Sequence, residues 1–306
     1  MQSRKNFSVI DTNFLFLIIA LLLLSIGTWV QERQIYMGLI ITEYLLILFP
    51  VILYLKVKRH NLKEFLRINS LSFKQILYIV LIVILSYPIA VFFNYLGILL
   101  LSKFGRIMPN PIPIPSDINE FLFEFFIVAL TPGLCEEIMF RGMIMKSYEV
   151  YDRKKAIVLS AVLFGIFHFN FQNLLGPIFL GILFGILVSK TKSLFSSIIG
   201  HTINNTIALI IGFFSGHIQQ TSEEMVLDTG MMVYGVVILG IIALLFWIIV
   251  RKLINSMPSH TNRFELIGEI TETASIIRRK MSPIELIPIF IVVIIYIVLN
   301  YNVFIA

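Results

Sequence analysis

Glu136 and Glu137 stand side by side in Pro132-Gly133-Leu134-Cys135-Glu136-Glu137-Ile138-Met139-Phe140-Arg141-Gly142, within an apolar segment running from Phe121 to Met145. At 3.6 residues per turn, Glu137 and Arg141 lie about 40° apart on one helix face and form an i,i+4 ion pair. Glu136 points about 100° away from Glu137 and is free to face something else. Ionisable residues at membrane depth are costly and persist where they pair internally or line a polar cavity. One Glu–Arg pair reads equally well as a buried bridge that fixes helix packing. The second carboxylate, with no local partner, points instead to a working site. Downstream lie His168, then His201 and Asn205, four apart on one helix face. Each alone fits a helix–helix hydrogen bond. Together with a carboxylate, two imidazoles are the means of activating a water. Glu43 and Glu124 are lone intramembrane acids, read as structural or cavity residues, and Asn204 as a packing residue that faces elsewhere.

The elements that must position these residues are membrane helices. The 306-residue chain is 58% hydrophobic and only 14% charged, well below the roughly 25% of ordinary domains. Its mean hydropathy is +0.92. Apolar runs of spanning length recur along it, so the fold class is all-α, a polytopic transmembrane helical bundle. The lone cysteine, Cys135, excludes an intrachain disulfide, and its carboxylate neighbours disfavour a thiolate nucleophile, so it is read as a packing residue. The first apolar run is long for a signal-peptide core and no small-x-small cleavage site follows, which makes it an uncleaved helix.

The runs predict nine helices: 14–30, 35–55, 76–101, 118–145 (bent at Pro132-Gly133), 156–169, 177–188, 194–214, 231–250 and 284–298. Alternate prolines at 109, 111, 113 and 115 predict an extended segment, and residues 264–277 an interfacial amphipathic helix. Gly181-x-x-x-Gly185 predicts close helix packing. The organisation falls into residues 1–117, N-terminal helices; 118–214, a four-helix core carrying the polar residues; and 215–306, C-terminal helices. With the N-terminus in the cytosol, 20 of the 24 Lys and Arg residues fall on the cytosolic side. That agrees with the positive-inside rule and predicts N-in, C-out. The net charge of +6 then reflects topology and anionic-lipid contact, and nucleic acid is excluded as a partner. Counted from the basic anchors, Glu136, Glu137, His168, His201 and Asn205 share a slab about 6 Å thick.

Other intramembrane protease signatures are missing or misplaced. There is no His-Glu-x-x-His. Ser215-Gly216 lacks the preceding glycine of a nucleophile motif, and Tyr151-Asp152 lies in a basic loop.

Glu136-Glu137-x-x-x-Arg141, Phe164-x-x-x-His168 and His201-x-x-x-Asn205, in this order on successive predicted helices, resemble the CPBP family. This group, also called Abi, comprises the CAAX-protease and bacteriocin-processing membrane proteases, including the type II CAAX prenyl endopeptidases. The likeness covers about residues 118–214. It implies Glu136 as general base, His168 holding the attacking water, His201 and Asn205 stabilising the oxyanion, and Glu137 and Arg141 as supports, with Phe164 part of the second motif. Family members are often named metalloproteases. The residues themselves name no certain cofactor and leave a metal open: Glu136, His168 and His201 are the set that would ligate a divalent metal such as zinc. The resemblance implies an intramembrane endopeptidase acting on a peptide or lipid-anchored protein near the cytosolic face of a bacterial plasma membrane. A non-catalytic scaffold that regulates another membrane protein is the alternative, and a transporter a weaker third reading.

The topology is directly testable. After Cys135→Ala, single cysteines placed in 215–229 are expected to label from outside intact cells, and those in 56–74 or 251–280 are not. Strong labelling of the basic loops would reverse the orientation.

Overall fold

The computed structural model describes residues 8–102, 112–219, 229–259 and 280–305. The predicted amphipathic helix at 264–277 and prolines 109 and 111 lie outside them. Nine long helices follow one another: α1 Val9–Arg33, α2 Ile35–Val57, α3 Phe73–Ser102, α4 Ile118–Tyr148, α5 Arg153–Ile166, α6 Leu175–Thr191, α7 Phe195–Gln219, α8 Thr229–Ser256 and α9 Pro283–Ile305. No strand occurs among the described residues. Eight of the nine are long and apolar enough to cross a membrane. All nine predicted helices are present, and the exception is α5, whose 14 residues span about 21 Å, short of a bilayer core of about 30 Å.

Helix ends follow local chemistry. Ser8 caps α1 by accepting from the Asp11 amide, so the helix begins well before the apolar run. Asp152 caps α5 by accepting from the Lys154 and Lys155 amides, starting it three residues earlier than expected. The helix closes with Phe169 at φ 50°, a left-handed conformation. His168 therefore lies in the turn after α5, not on the helix as predicted from the apolar pattern.

α2 and α4 are interrupted by wide helical turns, and two of these have a common cause. The stretches Ile41–Leu48 and Phe125–Leu130 each end just before a proline, Pro50 and Pro132, in the first turn of the next segment. Proline has no N–H and its ring crowds the carbonyl four residues back, so the preceding turns open. A third wide stretch, Ile138–Ile144, follows the two glutamates directly.

The segments predicted to share the cytosolic side gather at one end of the bundle. Lys58 Nζ bonds Asp11 Oδ2 at 2.6 Å, Asn69 Nδ2 donates to Lys192 O at 2.6 Å, and Gln75 Nε2 to Pro258 O at 3.1 Å. Lys190 Nζ donates to Asn255 O at 3.1 Å. Arg67 pairs with Glu149, which Lys146 also approaches at 3.6 Å. Burial disfavours the Glu149 carboxylate, but Arg67 and the flanking basic residues outweigh it and hold its pKa below the ordinary value.

α5 and α6 form an antiparallel hairpin rising from this end. A Cβ on Gly181 would stand 2.7 Å from Ala161 Cβ, and one on Gly185 2.8 Å from Ile157 Cγ2. Gly165 faces Ile178 in the same register. The glycine pair thus serves close packing, as its spacing suggested. Gly181→Leu is expected to lower stability in detergent by roughly 1–3 kcal/mol, the usual overpacking cost, and Gly181→Ala by less. Thermal unfolding of the two variants tests this; equal, negligible losses would contradict the packing.

Candidate active site

The site is built where α4, α5, α6 and α7 meet. Glu137 and Arg141 pair as expected, Nη1 to Oε1 at 2.6 Å, both essentially without exposure. The same Oε1 lies 3.0 Å from His201 Nδ1. An ionised carboxylate only accepts, so His201 carries its proton on Nδ1 and donates it to Glu137. Glu137 therefore orients an imidazole as well as holding an arginine. When neutral, His201 presents an unprotonated Nε2, which lies 4.0 Å from Glu136 Oε2.

Aromatic rings enclose the charges. The Arg141 guanidinium lies 4.4 Å from the Phe164 ring centroid and 5.4 Å from that of Phe184. Phe184 also stacks on His201 at 5.7 Å, and Phe164 meets His201 edge-on at 5.7 Å. These faces stabilise the cation and fix the imidazole plane. Phe184 sits between Gly181 and Gly185 in the sequence and carried no polar signal. It comes to the site because those glycines draw α6 in, and because Gly200 leaves room, a Cβ there falling 3.1 Å from the Phe184 ring.

α7 approaches α4 closely at another glycine. A Cβ on Gly133 would meet the Thr202 side chain and, at 3.4 Å, the Ile198 carbonyl. Next to this contact, Asn205 Nδ2 donates to Val128 O at 3.1 Å. Val128 is four residues before Pro132, so its carbonyl is the one a regular helix would serve with the N–H that proline lacks. Asn205 Oδ1 accepts from Asn204 Nδ2 at 3.2 Å. In the same way Ser160 Oγ, from α5, donates to Phe140 O at 2.9 Å in the wide stretch 138–144. Asn205 thus has a structural task that its spacing from His201 did not reveal, with one amide proton left over.

His168 stands to the side of this group. Its Nδ1 bonds Phe164 O at 2.9 Å and its ring meets Phe164 edge-on at 5.2 Å. No hydrogen bond or ion pair joins it to Glu136 among the described residues. Phe164 is the spacer between the two imidazoles. Of the expected slab, Glu136, Glu137 and His201 come together, with Arg141 beside them, Asn205 lies on the adjoining face, and His168 at the rim.

The metal-ligand set does not fit. Its three residues do not converge: His168 stands at the rim with its Nδ1 on Phe164 O, while His201 Nε2 lies 4.0 Å from Glu136 Oε2. No three His, Cys, Asp or Glu side chains among the described residues converge closely enough to hold a metal ion. Cys135 is buried and free, consistent with a packing role.

Residues 118–207 match the Rce1-like family, described as type II CAAX prenyl endopeptidase Rce1-like. YdiL of Bacillus subtilis (strain 168), provisionally assigned as a membrane peptidase, is 29% identical over 129 residues, 41% of this chain. The chain spans about half the length of that curated relative, 53%. No solved structure matches significantly.

The Asn205 bond can be tested by a double-mutant cycle. Asn205→Ala is expected to cost about 1 kcal/mol of stability by leaving the Val128 carbonyl short of a donor. In a Pro132→Ala background, where the backbone regains an N–H, the cost is expected to shrink. Equal losses in both backgrounds would disconnect Asn205 from the proline.

Proposed function

We propose that this chain, whose residues 118–207 carry the CPBP-family, type II CAAX prenyl endopeptidase-like module, is an intramembrane endopeptidase. It hydrolyses a peptide bond with a water activated by Glu136. The observation that carries this reading is the 4.0 Å between Glu136 Oε2 and His201 Nε2. That separation is too long for a direct hydrogen bond and suits two acceptors that share one water. With its Nδ1–H given to Glu137, His201 accepts one water proton while Glu136 accepts the other. Glu136 then removes its proton as the water oxygen bonds to the carbonyl carbon. It returns that proton to the amide nitrogen as the C–N bond breaks.

In this mechanism His201 orients the water rather than donating to the oxyanion. The second amide proton of Asn205 is the neutral donor available for the developing negative charge. His168, with its Nδ1 on Phe164 O, is exposed at the rim and suits contact with the incoming peptide. Arg141 and Glu137 hold the geometry without touching substrate. Buried, pre-oriented groups of this kind act without reorganisation at the moment of reaction. Residues 118–214 form the catalytic core, and the flanking helices at 1–117 and 215–306 complete the bundle. The site faces the basic, cytosolic end of a bacterial plasma membrane protein, where a peptide or lipid-anchored tail enters.

Glu136→Gln preserves shape and removes basicity. It is expected to lower turnover by about 10² to 10⁴ with unfolding temperature nearly unchanged. Arg141→Ala leaves Glu137 as a buried charge without its cation and is expected to lose about 3–5 kcal/mol of stability as well as activity. Substrate is found by mass spectrometry of peptides that accumulate in cells making Glu136→Gln, and cleavage is then measured on purified protein. Parental turnover in Glu136→Gln would sink the assignment, and a fully retained cellular phenotype with it would favour a scaffold.

A further inference from the structure

α5 stops short of crossing the bilayer, and the helices that meet its far end, α3 and α9, are long enough to span it. The turn after α5 therefore lies at membrane depth, where its backbone groups need protein partners. That turn carries His168, and Phe169 beside it holds the left-handed φ of 50°. Two of its backbone groups are served by one side chain from α9. Asn300 Nδ2 donates to Phe169 O at 3.2 Å, and Asn300 Oδ1 accepts from the Phe171 amide at 2.8 Å. The other proton of Nδ2 goes to Tyr296 O, one turn back on α9, at 2.8 Å. Asn300 is buried, and both protons and the oxygen of its amide are engaged. α3 also closes on the turn, at Gly97, where a Cβ would stand 3.4 Å from Gln172 O.

The same helix is fixed at its other end. Glu285 O accepts from Asn13 Nδ2 at 2.6 Å, and Glu285 Oε2 accepts from Tyr151 Oη at 2.7 Å, just before α5 begins. Glu285 and Asn300 are about 22 Å apart along α9, against about 21 Å for the 14 residues of α5. α9 thus lies beside α5 as a splint, bonded to the residues before its first turn and to the turn after its last. We propose that Asn300 is a positioning residue of the active site: it fixes the turn that presents His168, and α9, outside residues 118–207, thereby completes the rim where substrate binds. This rests on the reading of His168 as a contact for the incoming peptide. Without the clamp, Phe169 O and the Phe171 amide lose the bonds that α9 gives them, and His168 is no longer held in one position. Glu137 and His201, bonded to each other between α4 and α7, stay in place. Peptide binding weakens and the chemical step does not.

The test is residue-resolved hydrogen exchange on the purified full chain, with KM and kcat measured on the same preparations for a peptide that accumulates with Glu136→Gln. Asn300→Leu keeps the volume of the side chain and makes none of its bonds. It is expected to speed exchange of the Phe171 amide about five- to tenfold, the effect of losing one hydrogen bond. KM is expected to rise about three- to tenfold with kcat within about twofold, the pattern of lost ground-state binding. His168→Ala is expected to raise KM as much, and Asn300→Leu added to it to raise KM no further. Val292→Ala, at a fully buried position on α9 away from the turn, is expected to leave both Phe171 exchange and KM at parental values. Asn300→Ser, whose hydroxyl can bond Tyr296 O but is too short for the turn, carries the same test where the leucine variant does not fold. Parental exchange in these Asn300 variants would overturn the proposal, as would faster exchange with a parental KM, or an equal change in Val292→Ala. A parental KM in His168→Ala would overturn the reading of His168 and the positioning role with it. Exchange does not depend on turnover, so a clamped turn in a protein without peptidase activity is told apart from an unclamped one: the first removes the peptidase reading and keeps the clamp, the second removes the clamp.

Discussion

One carboxylate oxygen organises the centre of this bundle. Glu137 Oε1 accepts from Arg141 on its own helix and from His201 on α7. In lipid no water can take over either bond, so each partner is held where the other requires it. The i,i+4 spacing sets the arginine, the arginine draws in Phe164 and Phe184, and those rings flank His201. Four helices are tied together by a charge that none of them exposes. The pair is not bought cheaply, since ions at this depth are desolvated, and such a pair is weak grounds for stability alone. What it supplies is a fixed direction for one imidazole.

The wide turns of α4 serve the same centre. A straight α-helix would satisfy its own carbonyls and offer its neighbours only side chains. Opening the helix at 125–130 and 138–144 frees backbone acceptors, and Asn205 and Ser160 donate to one in each stretch. Irregular backbone is tolerated at membrane depth where surrounding protein satisfies it. α4 is thus locked from two sides, one lock on each side of Glu136.

Much of this was legible in the chain. Spanning helices follow from apolar runs that the bilayer demands, and the Glu137–Arg141 pair and the glycine packing of α6 follow from helical periodicity. The gathering of the basic loops at one end follows from their charge. Three things were not legible, for physical reasons. Helix ends were set by Ser8 and Asp152, single capping residues whose effect hydropathy does not register. The position of His168 depended on the left-handed Phe169, beside which the helix closes. Phe184 and the Val128 carbonyl carry no sequence signal of function, because one is an ordinary apolar residue and the other a backbone group.

The contrast between the two adjacent glutamates carries the functional argument furthest. Glu137 has two donors on one oxygen and no exposure, so it is held by neighbours that cannot leave. Glu136 is 9% exposed, and the ring nitrogen nearest it, His201 Nε2, stands 4.0 Å away. A base must be able to change protonation without breaking the structure that holds it. Protonating Glu137 would release both Arg141 and His201; protonating Glu136 releases nothing. Under the proposed mechanism the two roles are one residue apart: Glu137, with Arg141 and His201 on one oxygen, fixes the geometry, and Glu136, with no ring nitrogen closer than 4.0 Å, moves the proton.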